Sequence, residues 1–465
     1  MHGVFIEKGI SDWQIVQHRN KKAEITLSGT WIVPKAAVKQ GVEDARPMAR
    51  VLSEEDNSQI IPWTYGQSEK NEDHVSGSWS ITITLPAGGL YRIETGLETK
   101  GTAPGVQWVF RGDTRLHIGV GDVFIIGGQS NSAGYGKDNA FDPPELGVHL
   151  FRNRHAWDLA THPMNESAFG ADAKNAEMGV SGTSPYLSFG KNFRKFSHYP
   201  VGLVATAMGG QAMKRWNPDG GKLYINMVEQ AKACGGNFAG VLWYQGCSDA
   251  DERSSGLYKE RYYSMIKAFR KELGYDIPFF TFQLNRQIDG ANDSCWGIVR
   301  EAQRTAAKDL SEVYILPTMD CSLSDSIHND AHSCIRLGER MARLCGHVLY
   351  DGPEFLAPEI TSAVCKNTEV ALSFANMQRG FVIQSSLYEN IGITFMDDEG
   401  EIPFERAYFP RDARNTITIS LERKPIGSCS VSYGWQANPT HTPPLDEVTY
   451  LPLLSFYQFP VTLEK

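Results

Sequence analysis

The chain has no run of 18 apolar residues, so no segment reads as a membrane-spanning helix. Its opening, MHGVFIEKGI, lacks the basic stretch and apolar run of a secretory signal. As written, the chain is expected in the cytoplasm, or outside the cell if a signal was removed from it. It also lacks a basic excess. The 45 Lys and Arg against 54 Asp and Glu leave a net charge of −9, which argues against a nucleic-acid partner. Eight cysteines (Cys234, Cys247, Cys295, Cys321, Cys334, Cys345, Cys365 and Cys429) form no C-x-x-C pair. Neither a disulfide framework nor a structural zinc site is indicated, and reduced, buried thiols are the simple reading. There is no G-x-G-x-x-G and no Walker lysine to cradle a phosphate. No cofactor, metal, membrane or nucleic acid is therefore expected, and oligomeric state is not readable.

What is present is enough apolar material for a large core. Hydrophobic residues make up 41% of 465 positions, and a prior of about one domain per 150 residues suggests three. Residues 1–118 carry period-two segments such as Trp79-Ser-Ile81-Thr-Ile83-Thr-Leu85, closed by a Pro-Ala-Gly-Gly turn; this reads as antiparallel sheet. Residues 353–465 look alike. Ile393-Thr-Phe395, Asp397-Asp-Glu-Gly400 and Ile402-Pro-Phe404 form a hairpin signal, and 416–421 and 428–433 read as strands. Residues 119–352 differ. Short apolar runs at 123–126, 201–205, 241–243, 278–282 and 313–316 alternate with helical patterns. Tyr258, Tyr262, Met265, Ile266 and Phe269 share one helical face, as do Ile335, Gly338, Met341, Cys345 and Val348. Strands buried on both faces, alternating with helices, predict an α/β fold with a doubly wound parallel sheet, flanked by N- and C-terminal β-rich domains. In such sheets the chemistry sits beyond the carboxyl ends of the strands.

Four strand ends carry candidate chemistry. Gly127-Gly128-Gln129-Ser130-Asn131 places a serine on a glycine-flanked turn, where its Oγ can be exposed. Ala207-Met208-Gly209-Gly210-Gln211 offers backbone N–H groups to an oxyanion, with Lys214, Arg215 and Trp216 following. Trp243-Tyr244-Gln245-Gly246-Cys247 offers the side-chain amide of Gln245. Asp325-Ser-Ile-His328 lets a carboxylate reach an imidazole and turn its other nitrogen toward a serine. Each alone could be plain structure: a polar loop, a tight turn, a strand-end glutamine, a helix cap. Together they require four coincidences.

These blocks, with Trp296 and Arg300-Glu-Ala-Gln303, resemble the sialate O-acetylesterase and acetylxylan-esterase branch of the SGNH (GDSL-like) hydrolases over about 120–350. Val431-Ser-Tyr433-Gly-Trp435 and Asn438-Pro439 are similar, more loosely, to the C-terminal strand of the sialate esterases. The resemblance implies a central SGNH-type sheet and an esterase that removes acetyl groups from sugars. It implies Ser130 as nucleophile, His328 as base and Asp325 as its partner. The N–H groups of Ser130 and of Gly209 or Gly210, with the Gln245 side chain, would form the oxyanion hole. Asn131, a structural neighbour in the serine block, is expected with Trp216 and Arg215 along the acetylated carbohydrate. The family's third block usually reads Gln-Gly-Glu, and Cys247 stands at its last position here. Asp325 is then the acid, and Cys247 a small buried filler. Competing readings are a carbohydrate-binding protein without activity and a metallohydrolase built on His328, Asp330 and His332.

Overall fold

In this computed structural model, residues 2–101, 108–164, 182–383 and 391–464 are described. They divide into two compact units. One comprises 1–124, 143–161 and 197–204; the other comprises 125–142, 162–196 and 205–465.

In the first unit, alternation produces sheet, as the period-two pattern requires. Strand Lys22–Ile32 pairs antiparallel with Ser76–Pro86, setting Ile25 opposite Ile83 and Leu27 opposite Ile81. Those apolar residues, with Trp31, Trp79 and Leu85, are buried in one core. Val42–Ser53 pairs with Gly88–Gly101, which pairs in turn with strand β1 (Trp108–Gly128). β2 (Val148–Arg152) runs antiparallel to β3 (Ala156–Leu159) and parallel to β4 (Val201–Ala205). The sheet is therefore mixed, not purely parallel. β1 is one continuous strand through residues 118 and 119. Its first half takes an antiparallel hairpin partner, and its apolar end is buried among α/β elements.

The second unit holds the end of β1 followed by α1 (Ser130–Ala133). It also holds three parallel strands, β5 (Gly240–Tyr244), β6 (Phe279–Phe282) and β7 (Val313–Leu316), in the order β5-β6-β7. Nearly all their residues are buried, which explains the unbroken apolar runs. Helix α2 (Ser255–Leu273) buries Tyr258, Tyr262, Met265, Ile266 and Phe269. α3 (Asp293–Asp309) starts at an Asn292 cap, and α4 (Ala331–Tyr350) starts at an Asp330 cap. Beyond α4 the chain is strand. Glu359–Lys366, Glu369–Ala375 and Thr416–Leu421 pair antiparallel, and Ile393–Asp397 turns into Gly400–Ile402 and pairs with Ser430–Tyr433. Their apolar faces share a core around Ile360, Leu372, Phe395, Ile419 and Val431.

Candidate active site

β1 ends on Gly128, whose φ of +119° lies in the left-handed region; a Cβ there would sit 2.2 Å from the Tyr244 carbonyl oxygen. Only glycine fits, and the chain can then turn sharply into α1. Gln129 N donates to Tyr244 O at 2.9 Å. The Gln129 side-chain oxygen accepts from Gly246 N at 3.0 Å and Ser248 N at 3.2 Å, tying the serine turn to the end of β5. Ser130 begins α1. Its N–H has no intrahelical acceptor, as at any helix start.

Ser130 Oγ lies 2.8 Å from His328 Nε2, and His328 Nδ1 lies 2.8 Å from Asp325 Oδ2. An ionised carboxylate only accepts, so Nδ1 carries the proton and Nε2 accepts from the serine hydroxyl. The second carboxylate oxygen, Oδ1, accepts from Ile327 N at 3.0 Å and His328 N at 2.8 Å. Lys137 Nζ donates to Oδ2 at 3.0 Å. Burial works to raise the Asp325 pKa. The hydrogen bonds from His328, the two backbone groups and Lys137 outweigh it and hold the carboxyl well below the usual carboxylate range. The ring of Tyr135 leans on His328 at 4.8 Å between centroids.

The loop bearing the histidine is clamped from several sides. Asn131 Oδ1 accepts from Asn329 N at 2.9 Å, and its Nδ2 donates to Ile327 O at 3.2 Å. Asn285, three residues beyond β6, donates to Ile327 O at 2.7 Å and to Asn329 Oδ1 at 3.0 Å. Tyr244 OH donates to the same Asn329 oxygen at 2.9 Å. Asn285 is braced by the Trp296 indole, which donates to its carbonyl at 2.7 Å, and by Arg300, at 2.5 Å. Gln303 Nε2 donates to Gln245 O at 2.7 Å, and its oxygen accepts from Leu284 N at 2.8 Å. The Trp296-to-Gln303 block thus joins the ends of β5 and β6 from beneath. Asp320, beyond β7, accepts two bonds from Arg340 of α4, at 2.8 and 2.6 Å.

Three expectations need correction. Gln245 is fully buried, and its amide nitrogen is spent on Asp249 Oδ2 at 2.6 Å and Gln211 O at 3.1 Å. Both partners are acceptors, so the amide has no hydrogen left for an oxyanion. Trp216 is also fully buried, edge-on to Trp243 at 5.0 Å. The single turn Met213–Trp216 sends Met213 and Trp216 inward, so the indole is core and not a sugar platform. Asn131 is buried and both ends of its amide are bound to backbone, so it holds a loop and not a substrate. Arg215 folds back on Gln211, donating to its side-chain oxygen at 3.1 Å. Gly209 and Gly210 follow Met208, whose N–H donates to Gly128 O at 3.0 Å, so this turn leaves the sheet beside the serine turn. Gly210 is exposed with φ +67°, and its N–H has no acceptor among the described residues. Burial pushes the Cys247 thiol up to about 12, so it is neutral at pH 7. Asp330 caps α4 by accepting from Ser333 N at 2.6 Å, and His332 is exposed on that helix.

Gln129, Tyr135, Lys137, Asn285 and Asn329 escape a reading of the sequence. Asn285 was within reach, since it follows the fourth apolar run as the other candidates follow theirs. The others carry no spacing signal of their own.

The profile of the family described as carbohydrate esterase, sialic acid-specific acetylesterase, matches residues 120–346. The Arabidopsis thaliana protein named "Probable carbohydrate esterase At4g34215" is 30% identical over 239 residues, covering 48% of this chain and 88% of that protein. The chain belongs to this carbohydrate esterase family. It is accordingly a carboxylic ester hydrolase acting on carbohydrate. The crystal structure of XAC1771, a carbohydrate acetylesterase from Xanthomonas citri, superposes with a TM-score of 0.64 at 20% identity. It covers 96% of this chain and 97% of that one, and at this identity the likeness speaks for a shared fold.

Proposed function

We propose that this esterase removes O-acetyl groups from sugars by two-step acyl transfer. The reading is carried by the unbroken chain of hydrogen bonds from Ser130 Oγ through His328 to Asp325. His328 takes the hydroxyl proton through Nε2 as Oγ attacks the acetyl carbonyl. The imidazolium that forms is held by the ionised Asp325, which is kept ionised by four donors. The tetrahedral oxyanion is met by the N–H of Ser130 at the start of α1 and by that of Gly210. Both are backbone groups, so they stabilise charge without a side-chain rearrangement. His328 returns the proton to the departing sugar hydroxyl, and the acetyl–Ser130 ester remains. Water then attacks that ester with His328 again as base, and acetate leaves.

Acetate release from 4-nitrophenyl acetate at neutral pH, with a chelator present, tests this reading. The wild type is expected to turn over. Ser130→Ala is expected to lose about 10³-fold or more in kcat, as removing one member of an interdependent set does. Equal rates in the two proteins would overturn the scheme.

A further inference from the structure

A cavity of about 260 Å³ is bounded by residues 287–293 on one side and 436–441 on the other. Ligand pockets commonly span roughly 300 to 1,000 Å³, and this one, just below that range, has room for no more than a small unit such as one sugar ring. Its walls are fixed to each other. Gln287 N donates to Ala437 O at 2.9 Å, and Ala437 N donates to Asp293 Oδ1 at 2.8 Å. One wall is also fixed to the acid–base loop, since Ile288 N donates to Ser326 O at 2.9 Å, one residue after Asp325.

The lining is hydroxyl-seeking and uncharged apart from Asp293, which already serves the backbone. Gln287, Gln436, Asn438, Thr440 and His441 offer amide, hydroxyl and imidazole groups, and no lysine or arginine lines the space among the described residues. Arg300 lies nearby, but its guanidinium is committed to the carbonyls of Leu284, Asn285, Gly434 and Gln436. Burial, with Arg300 and Arg286 close by, takes His441 down to about 4, so it is a neutral imidazole at pH 7. Asn438 Oδ1 and His441 Nε2 are shielded from solvent and have no hydrogen-bond partner among the described residues. A buried polar atom left unmet costs about 1–3 kcal/mol, and each of the two belongs to a residue of this lining. Ile288, half exposed, supplies an apolar edge for a ring face.

We propose that this cavity is a subsite for a neutral, hydroxyl-bearing sugar unit of the substrate, adjoining the unit that carries the ester. It rests on the carbohydrate esterase reading of the Ser130 site for the class of ligand. A carboxylate-bearing sugar is disfavoured, since the lining offers no cation and presents Asp293.

Titration calorimetry on the whole chain tests this, with xylotetraose, mannotetraose, cellotetraose and N-acetylneuraminic acid as probes at millimolar concentration. At least one neutral oligosaccharide is expected to saturate. Its affinity is expected to fall about tenfold or more, or roughly 1.4 kcal/mol, in Asn438→Leu and in Thr440→Trp. Thr440 is exposed at the rim, so its variant folds even if the Asn438 variant does not. Saturation by N-acetylneuraminic acid alone, no saturation by any probe, or unchanged affinity in a folded Thr440→Trp variant overturns the subsite. Hydrolysis of 4-nitrophenyl acetate by the wild type reports on the esterase reading separately. Loss of that activity with sugar binding intact would fell the first reading and leave this one standing.

Discussion

The side chain of Asn131 accepts a hydrogen bond from the backbone N–H of Asn329 at 2.9 Å, so the residue after Ser130 grips the residue after His328. The same amide donates to Ile327 O at 3.2 Å on the other side of the histidine. The nucleophile's own block therefore sets the position of its base. Together with Asn285 and Tyr244, this side chain holds the histidine loop where Ser130 Oγ and His328 Nε2 lie 2.8 Å apart.

Asn131→Ala is expected to lower kcat for 4-nitrophenyl acetate by about 10²-fold, because a displacement on the order of 1 Å at the reacting groups costs that much. It also leaves the Asn329 N–H buried without an acceptor, at about 1–3 kcal/mol of stability. Steady-state kinetics on folded protein, with thermal unfolding alongside, separates the two effects. A variant with wild-type kcat and only a lower Tm would show that the clamp serves stability alone.

Gln245→Ala distinguishes a structural glutamine from an oxyanion donor. As an oxyanion donor it would cost about 10² to 10³ in kcat. Its amide is already bound to Asp249 and Gln211, so the expected result is a lower Tm with kcat within about tenfold of wild type. A drop of 10² or more in kcat at unchanged Tm would restore the donor role.

The strand-end rule made much of this site legible. Ser130, Gly210, Gln245 and the Asp325/His328 pair each follow an apolar run, and the structure brings Ser130, His328 and Asp325 into one hydrogen-bonded chain. Side-chain direction was not legible. Trp216 directly follows Lys214 and Arg215 in sequence, yet a single helical turn points it inward while Lys214 points out. Gln245 follows β5 as expected, but Asp249, four residues on, claims its amide. Gln129, which acts through a neighbour, carries no spacing signal, and its partners Gly246 and Ser248 lie over a hundred positions away. The mixed sheet was hidden for a related reason. β1 changes from an antiparallel to a buried α/β environment without a break in the chain.

Cys247 stands where the family usually has a glutamate, and its thiol lies 3.8 Å from Asn285 Oδ1. With Asp325 bound to His328, nothing in the hydrogen-bonded chain requires an acid at position 247. Cys247→Ala is expected to keep kcat within about threefold, less than 1 kcal/mol of barrier. Iodoacetamide at pH 7.5 is expected to leave the wild type active, since burial keeps the thiol neutral. Inactivation by the reagent, with Cys247→Ala resistant, would show a reactive thiol at the site.

Asp249 gives the fold a pH dependence of unusual sign. Burial raises its pKa, against hydrogen bonds from Gln245 and Met213 N. The folded state therefore holds a proton to higher pH than the unfolded chain, where an aspartate titrates near about 3.9. Protons bound preferentially by the native state mean that stability falls as pH rises from there through the folded value, and the cost persists above it. Asn at this position keeps an oxygen to accept from Met213 N and Gln245, as Oδ2 does at 2.8 and 2.6 Å. Its new amide nitrogen replaces Oδ1, a buried oxygen with no hydrogen-bond partner among the described residues and a 4.0 Å ion pair to Arg261. Asp249→Asn is therefore expected to match or exceed the wild-type Tm at pH 7, with the difference shrinking toward pH 4. Thermal unfolding across that range decides it. A variant less stable at pH 7 than at pH 4, relative to wild type, would mean that the Arg261 attraction outweighs the cost of burying the charge.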